Sequence, residues 1–278
     1  RIFSPLLYRL SYITRLAGRK YKVYLEMTTK NSSIKTSDVV IDMGNTRMKV
    51  ALFVDGRLDG VLNFSNEANK RVMALIETAD AKRAILSNVG KVKAPLIRAL
   101  SEKLDLLHLD SNFEVPIRLD YHTPETLGTD RIANAVAASK FYAGQNVLII
   151  DFGTCIKYDL LREDATFLGG AIAPGLDMRF RSMHKMTGKL PRIKEWKEKE
   201  MIWPGKDTRS SMVSGVLQGI EAEIVHYIAQ SNERFENLKV IATGGDFGFF
   251  EKAFKNIIFA HPYLTLTGLH EILRFHLD

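Results

Sequence analysis

"NVLIIDFGTCIKYDLLREDATFLGGAIAPG", residues 146–175, sets an apolar run against an acid. Residues 147–150 are the aliphatic and β-branched types that a central strand prefers, and the run stops on Asp151, Gly153 and Thr154. A second strand is expected over 155–161, a turn at Glu163-Asp164, and a third strand over 166–171. The same order occurs earlier in "VVIDMGNTRMKV", residues 39–50. There an apolar run ends on Asp42, Gly44, Asn45 and Thr46, and a strand continues through Phe53 to an Asp55-Gly56 turn. Asp55 lies 13 residues after Asp42, and Asp164 lies 13 residues after Asp151. Matching strand, acid, glycine, strand, turn and strand predicts a duplicated unit.

Helix and strand signals alternate around the two copies. "NEANKRVMALIETADA" and "APLIRALSEKL" read as helices, with "RAILSNV" as a strand between them. After the second copy, 211–235 reads as a long helix whose Leu217, Ile220, Ile224, Val225 and Ile228 share one face. "LKVIATGGD" is a strand entering a glycine turn, and "LTGLHEILRFHL" is a closing helix. This pattern predicts an α/β protein of two domains, 37–144 and 145–278, each led by a β-hairpin, with a boundary near Gly144-Gln145.

Apolar content of 46% and charged content of 26% fit a globular protein with a real core. No apolar run approaches the length of a membrane span. Cys155 is the only cysteine, which excludes an internal disulfide and suits a reducing, cytoplasmic setting. The seven histidines show no zinc-site spacing, so a bound metal would be a hard cation held by carboxylates. The formal charge of +7 is unevenly placed. Residues 1–35 carry eight Lys/Arg and one acid, Glu26; removing them from 39 basic and 32 acidic residues leaves 31 of each. A neutral body argues against nucleic-acid binding, which needs clustered cations on a folded face. Residues 1–26 read as a membrane-surface helix, a transit-like segment or an upstream extension ahead of a start at Met27, with 1–36 as a whole outside the fold. The extension is the expectation, and protein starting at Met27 is expected to fold and behave like the full chain. Loss of folding on truncation would make the segment part of the fold.

One Asp-x-Gly turn alone is an ordinary hairpin; two at equivalent positions of a duplicated chain point to chemistry. If the halves face each other, both turns flank one cleft. Glycine lets main-chain N–H groups approach phosphate oxygens, Asn45, Thr46 and Thr154 add donors, and the acids hold a cation that offsets polyphosphate charge. Neither a Walker A run nor a kinase-type Gly-x-Gly-x-x-Gly is present. "ATGGDFG", residues 242–248, is a third glycine turn suited to a nucleotide or to a plain strand-to-helix connection. "YHTPETLGTDRIANAVAASKFY", residues 121–142, supplies a loop and then an Ala-rich helix. Asp130 at its start is either a helix-start acid or a base for a hydroxyl. Arg131 beside it is either an ion-pair partner of Asp130 or Glu125 or a clamp for an anionic substrate.

"DMGNT", "LGTDR", "DFGTC", "GGAIAPG", "GKDT" and "TGGD" occur in the order seen in type III pantothenate kinases, which the chain resembles over about residues 38–278. The resemblance implies the duplicated actin-like, ribonuclease H-like fold with the ATP cleft between its domains. It implies ATP-dependent phosphorylation of the primary hydroxyl of pantothenate to 4'-phosphopantothenate, the first step towards coenzyme A. Asp42, Met43, Gly44, Asn45, Thr46, Arg47, Met48 and Lys49 would then form the first ATP loop, with Asp42 ordering hydrated Mg²⁺. Gly128, Thr129, Asp130 and Arg131 would contact pantothenate, Asp130 being the base. Asp151 would bind a monovalent cation, K⁺ or NH₄⁺, and that cation would be required for activity. Thr154 would contact ATP phosphates, Thr208 pantothenate, and Tyr121 would line its pocket. The family's homodimeric habit makes Thr208 a candidate for the partner's site. Cys155 stands where alanine is usual, as a small apolar residue. Lys157 stands where a small polar residue is usual, and is expected to point off its strand to solvent; pointing inward, it would weaken cation binding at Asp151. The alternative is a nucleotide-binding accessory or regulatory protein on the same scaffold, without turnover.

Overall fold

The computed structural model describes residues 37–44, 47–65, 67–88, 94–109, 113–194, 203–254 and 256–277, so the basic extension, Asn45 and Thr46 lie outside the described residues. Along the chain run β1 (Ser37–Met43), β2 (Met48–Val54), β3 (Arg57–Phe64), α1 (Asn69–Ala79), β4 (Arg83–Asn88), α2 (Ala94–Ser101) and β5 (Asp105–Leu109). Then come β6 (Arg118–Leu119), α3 (Thr129–Phe141), β7 (Val147–Phe152), β8 (Cys155–Leu161), β9 (Thr166–Pro174) and α4 (Leu176–Met186). The chain closes with α5 (Thr208–Arg234), β10 (Lys239–Thr243), α6 (Glu251–Phe254), β11 (Ile258–Ala260) and α7 (Leu264–Phe275).

Two sheets result, ordered β3-β2-β1-β4-β5 and β11-β10-β7-β8-β9-β6. Read from the central strand, they are the same. β1 and β7 each begin a pair of antiparallel steps on one side, to β2 and β3 or to β8 and β9. On the other side each leads two parallel strands, β4 and β5 or β10 and β11. The repeated motif is thus a repeated topology, with β6, parallel to β9, added to the second sheet.

The chain divides into two compact units. One holds the described part of 1–116 together with 123–137 and 265–278; the other holds 117–122 and 138–264. The boundary expected at Gly144-Gln145 gives way to a crossing inside α3, and the closing helix α7 belongs with the first unit. The reason is packing. Thr265 Oγ1 donates to Asn134 Oδ1 of α3 at 2.8 Å. Gly268 lies so close to α3 that a Cβ there would fall on the Ala133 carbonyl oxygen.

In the first unit, alternate residues Val39, Ile41 and Met43 of β1 pack with Met48, Val50 and Leu52 of β2 and with Val72, Leu75 and Ile76 of α1. Their neighbours Asp38 and Val40 face the other way and are equally buried, as a central strand covered on both faces requires. On that second face, His270 of α7 stacks on Phe53 at 3.9 Å between ring centroids. Its Nε2–H donates to Asp38 Oδ2 at 3.0 Å, while the Arg83 guanidinium holds Asp38 Oδ1 at 2.7 Å.

Burial alone would raise the Asp38 pKa, but the hydrogen bonds from His270 and Arg83, with the Arg83 charge, outweigh it and hold the carboxyl below its ordinary value near 3.8. A depressed folded pKa contributes stability that is present above the unfolded value and is lost as pH falls through the folded one. Asp38→Asn is therefore expected to cost about 1.5–3 kcal/mol at neutral pH, the worth of hydrogen bonds to a charged group. The variant should also lose less stability than the parent below about pH 4. Urea midpoints measured from pH 7 to pH 3 check both; parallel acid limbs would remove Asp38 as a source of acid lability.

In the second unit, Leu148, Ile150 and Phe152 of β7 join Ile156 and Tyr158 of β8 under α4 and α5. The buried stripe of α5 is Met212, Val213, Val216, Ile220 and Ile224. Val225, expected on that face, is 56% exposed, because the stripe turns away from it along the helix. The helix starts at a capping box, in which Asp207 accepts from the Ser210 N–H at 2.8 Å and Ser210 Oγ accepts from the Asp207 N–H at 3.1 Å. Arg179 Nη2 of α4 donates to Glu223 Oε2 of α5 at 2.6 Å, tying the two helices.

Candidate active site

Each motif acid ends a central strand, where a hairpin departs to one side and parallel strands lie on the other. Open α/β sheets place ligands outside the carboxyl ends of strands at such a switch.

In the first unit, Asp42 lies opposite Ser87 of β4 and opposite Lys49 of β2, and directly opposed residues share a sheet face. The Ser87 and Thr129 hydroxyls are hydrogen-bonded at 2.8 Å, with both residues buried. This bond fixes the start of α3 beside the end of β1 and so brings the first Asp-x-Gly turn and the Gly128–Arg131 loop together. Ser87 was not anticipated as a site residue; its one signal is a hydroxyl inside the apolar strand "RAILSN". Asp130 folds back over Gly128, and its Oδ1 accepts the Arg131 N–H at 2.9 Å. Its carboxylate is half-buried at the helix N-terminus, where the dipole favours negative charge. Arg131 is only 4% exposed, and a guanidinium at that depth requires engaged donors.

Within the first loop, Arg47 is exposed and Lys49 half-buried, but the side chains of Met43 and Met48 are core residues. Those two can meet a ligand only through their main chain. Asn45 and Thr46 lie outside the described residues.

In the second unit, three motifs distant in sequence meet. The Gly153 N–H donates to the Cys155 carbonyl at 3.1 Å, closing the turn that carries an exposed Thr154. The Gly175 N–H donates to the Thr154 carbonyl at 3.0 Å, and the Asp246 N–H to the Phe152 carbonyl at 3.3 Å. Gly244 sits at φ +97°, and a Cβ there would come within 2.5 Å of the Phe152 carbonyl carbon. Only glycine satisfies both the dihedral and the approach. "DFGTC", "GGAIAPG" and "TGGD" are therefore one cluster. Tyr121 packs on Phe167, with ring centroids 6.1 Å apart, and lies against Gly169. Thr208 is the exposed first residue of α5, directly after its cap. Cys155 is half-buried.

Lys157 does not point to solvent. It lies opposite Asp151 across the β7–β8 hairpin, hence on the same face. Its Nζ donates to Asp151 Oδ2 at 2.8 Å, with the two side chains only 15% and 12% exposed. The donor set expected to bind a dissociable monovalent cation therefore already holds a cationic side chain. Asp151 as found does not fit the role of ligand to free K⁺ or NH₄⁺. A hydrated Mg²⁺ needs only one or two carboxylates plus substrate phosphates, and Asp42, half-buried near the end of β1, is a carboxylate of that kind. Among the described residues no group of three or more His, Cys, Asp or Glu side chains could cage a metal by itself. No helix among them is long and apolar enough to cross a membrane.

The sequence model of the type III pantothenate kinase family matches residues 39–230. The chain belongs to that family. A type III pantothenate kinase of Christiangramia forsetii is 43% identical over 248 residues, covering 86% of this chain and 98% of the relative. One from Bacteroides fragilis is 38% identical over 240 residues, with coverage of 86% and 98%. Among solved structures, a Campylobacter jejuni protein assigned to the Baf family of transcriptional activators superposes with a TM-score of 0.58 at 20% identity, covering 86% of this chain and 98% of that one. That likeness concerns the fold alone, the duplicated α/β architecture.

Proposed function

We propose that the protein phosphorylates the primary hydroxyl of pantothenate with Mg·ATP, giving 4'-phosphopantothenate and ADP. The observation that carries this reading is the Ser87–Thr129 bond, which ties the Asp130 loop to β4 at the residue paired with Asp42 of β1. A nucleotide-binding protein without turnover has no need of a carboxylate held beside its phosphate turn. Family membership over nearly the whole of the curated relatives supports the same substrate.

In this reading the glycine-lined turns at Asp42 and Asp151 receive the polyphosphate through main-chain N–H groups, and Asp42 orients the hydrated Mg²⁺ that accompanies it. Thr154 donates to a phosphate oxygen. Asp130 accepts the hydroxyl proton as that oxygen bonds to the γ-phosphorus and the bond to ADP breaks. Arg131 and Thr208 hold the pantothenate carboxylate and polar arm, and Tyr121 lines the pocket. Such catalysis is chiefly positioning and charge stabilisation. The working form is a homodimer, and Ile172, Met186 and Trp203, all well exposed in the isolated chain, are apolar side chains for it to cover.

ADP release by purified protein with Mg²⁺ and ATP, measured before and after adding pantothenate, tests the proposal. Pantothenate-dependent release is expected. Normal ATP binding without it would leave a nucleotide-binding regulator on this scaffold.

A further inference from the structure

We infer that the Lys157 ammonium is a built-in counter-ion of the Asp151 turn, and that nucleotide binding by this protein is therefore indifferent to K⁺ and NH₄⁺. The inference rests on the kinase reading insofar as it places the polyphosphate at this turn. Its basis is the hairpin register. Lys157 is the cross-strand partner of Asp151, so the two side chains leave the sheet on one face. The 2.8 Å contact is the distance of a charge-assisted hydrogen bond, and an alkylated ammonium carries the same charge as NH₄⁺.

Burial turns the contact into a preference. With the side chains 15% and 12% exposed, bulk water screens the two charges only weakly. A dissociable cation approaching Asp151 Oδ2 would have to break that bond and bring a second positive charge to one carboxylate. A tethered ammonium instead arrives with the fold and loses no translational freedom when nucleotide binds, the advantage of any intramolecular partner. Its charge also sits beside the turn carrying Thr154, where the closing bonds from Gly153 and Gly175 set the main chain facing the incoming phosphates.

The test is calorimetric titration of the full chain with Mg²⁺ and the non-hydrolysable analogue AMP-PNP in K⁺, NH₄⁺ or choline chloride at equal ionic strength. The unmutated protein should give dissociation constants agreeing within about twofold across the three salts. Lys157→Ala should bind about tenfold or more weakly in choline and recover in NH₄⁺ or K⁺, with a cation-dependent rise in Tm by mass action. Lys157→Arg, which keeps the charge, should remain indifferent to salt. A saturable gain in affinity with K⁺ or NH₄⁺ in the unmutated protein overturns the inference without any variant. So does a Lys157→Ala protein that binds normally in choline. Absence of pantothenate-dependent ADP release in every salt would sink the kinase reading and leave these binding results interpretable, whereas K⁺-dependent turnover would sink only the role given to Lys157.

Discussion

Asp130→Asn is expected to lower turnover by about 10²- to 10⁴-fold, the usual worth of a positioned base. That range corresponds to about 3–5 kcal/mol of transition-state stabilisation. The substitution is nearly isosteric, and its amide oxygen can still accept the Arg131 N–H that Oδ1 accepts now at 2.9 Å. The start of α3 and its Ser87–Thr129 anchor should therefore survive, and thermal unfolding should shift little. What disappears is the group that takes the hydroxyl proton. Nucleotide affinity should hold, because the Asp42 turn and the Gly153–Gly175–Gly244 cluster are untouched. Pantothenate affinity should hold too if Arg131 is its anchor. Steady-state rates with calorimetric binding on the same preparation separate these effects. A variant at full rate would remove Asp130 as the base while leaving phosphoryl transfer in place.

The signals that the chain shows before it folds are those that depend on near neighbours. The β7 strand is legible because four aliphatic residues run into an acid, and its twin at β1 repeats the pattern, so both sheets could be expected to share an order. The three glycine motifs of the second unit are each visible, but their convergence is not. It depends on Gly244 backing onto Phe152, a contact between residues far apart in sequence. The membership of α7 in the first unit is hidden for the same reason, since His270 reaches Asp38 across 232 positions. Helix α4 buries only Leu176 and Phe180, with Met183 packed on the same core, a short i, i+4, i+7 stripe set among basic residues that is easily passed over. Lys157 is the instructive case. Its direction follows wholly from hairpin register, and a slip of one residue would send it to the opposite face. Composition favours solvent for a lysine; pairing with Asp151 decides otherwise.

Asp151→Ala should cost about 3–5 kcal/mol of stability, because it strips a largely buried ammonium of its carboxylate. Lys157→Ala should cost a similar amount by leaving Asp151 without that partner. The double variant is the informative one. If the two charges compensate each other, removing both should be cheaper than the sum of the single losses, with a coupling of about 1–3 kcal/mol. Denaturant unfolding of all four proteins at one pH gives the cycle directly. Additive losses would mean that each residue is held by other neighbours, and that the 2.8 Å contact contributes no stability of its own. A strong coupling would instead show that the hairpin folds around a neutral pair. The lysine at position 157 then requires its carboxylate, and neither residue can change alone without leaving the other's charge uncompensated.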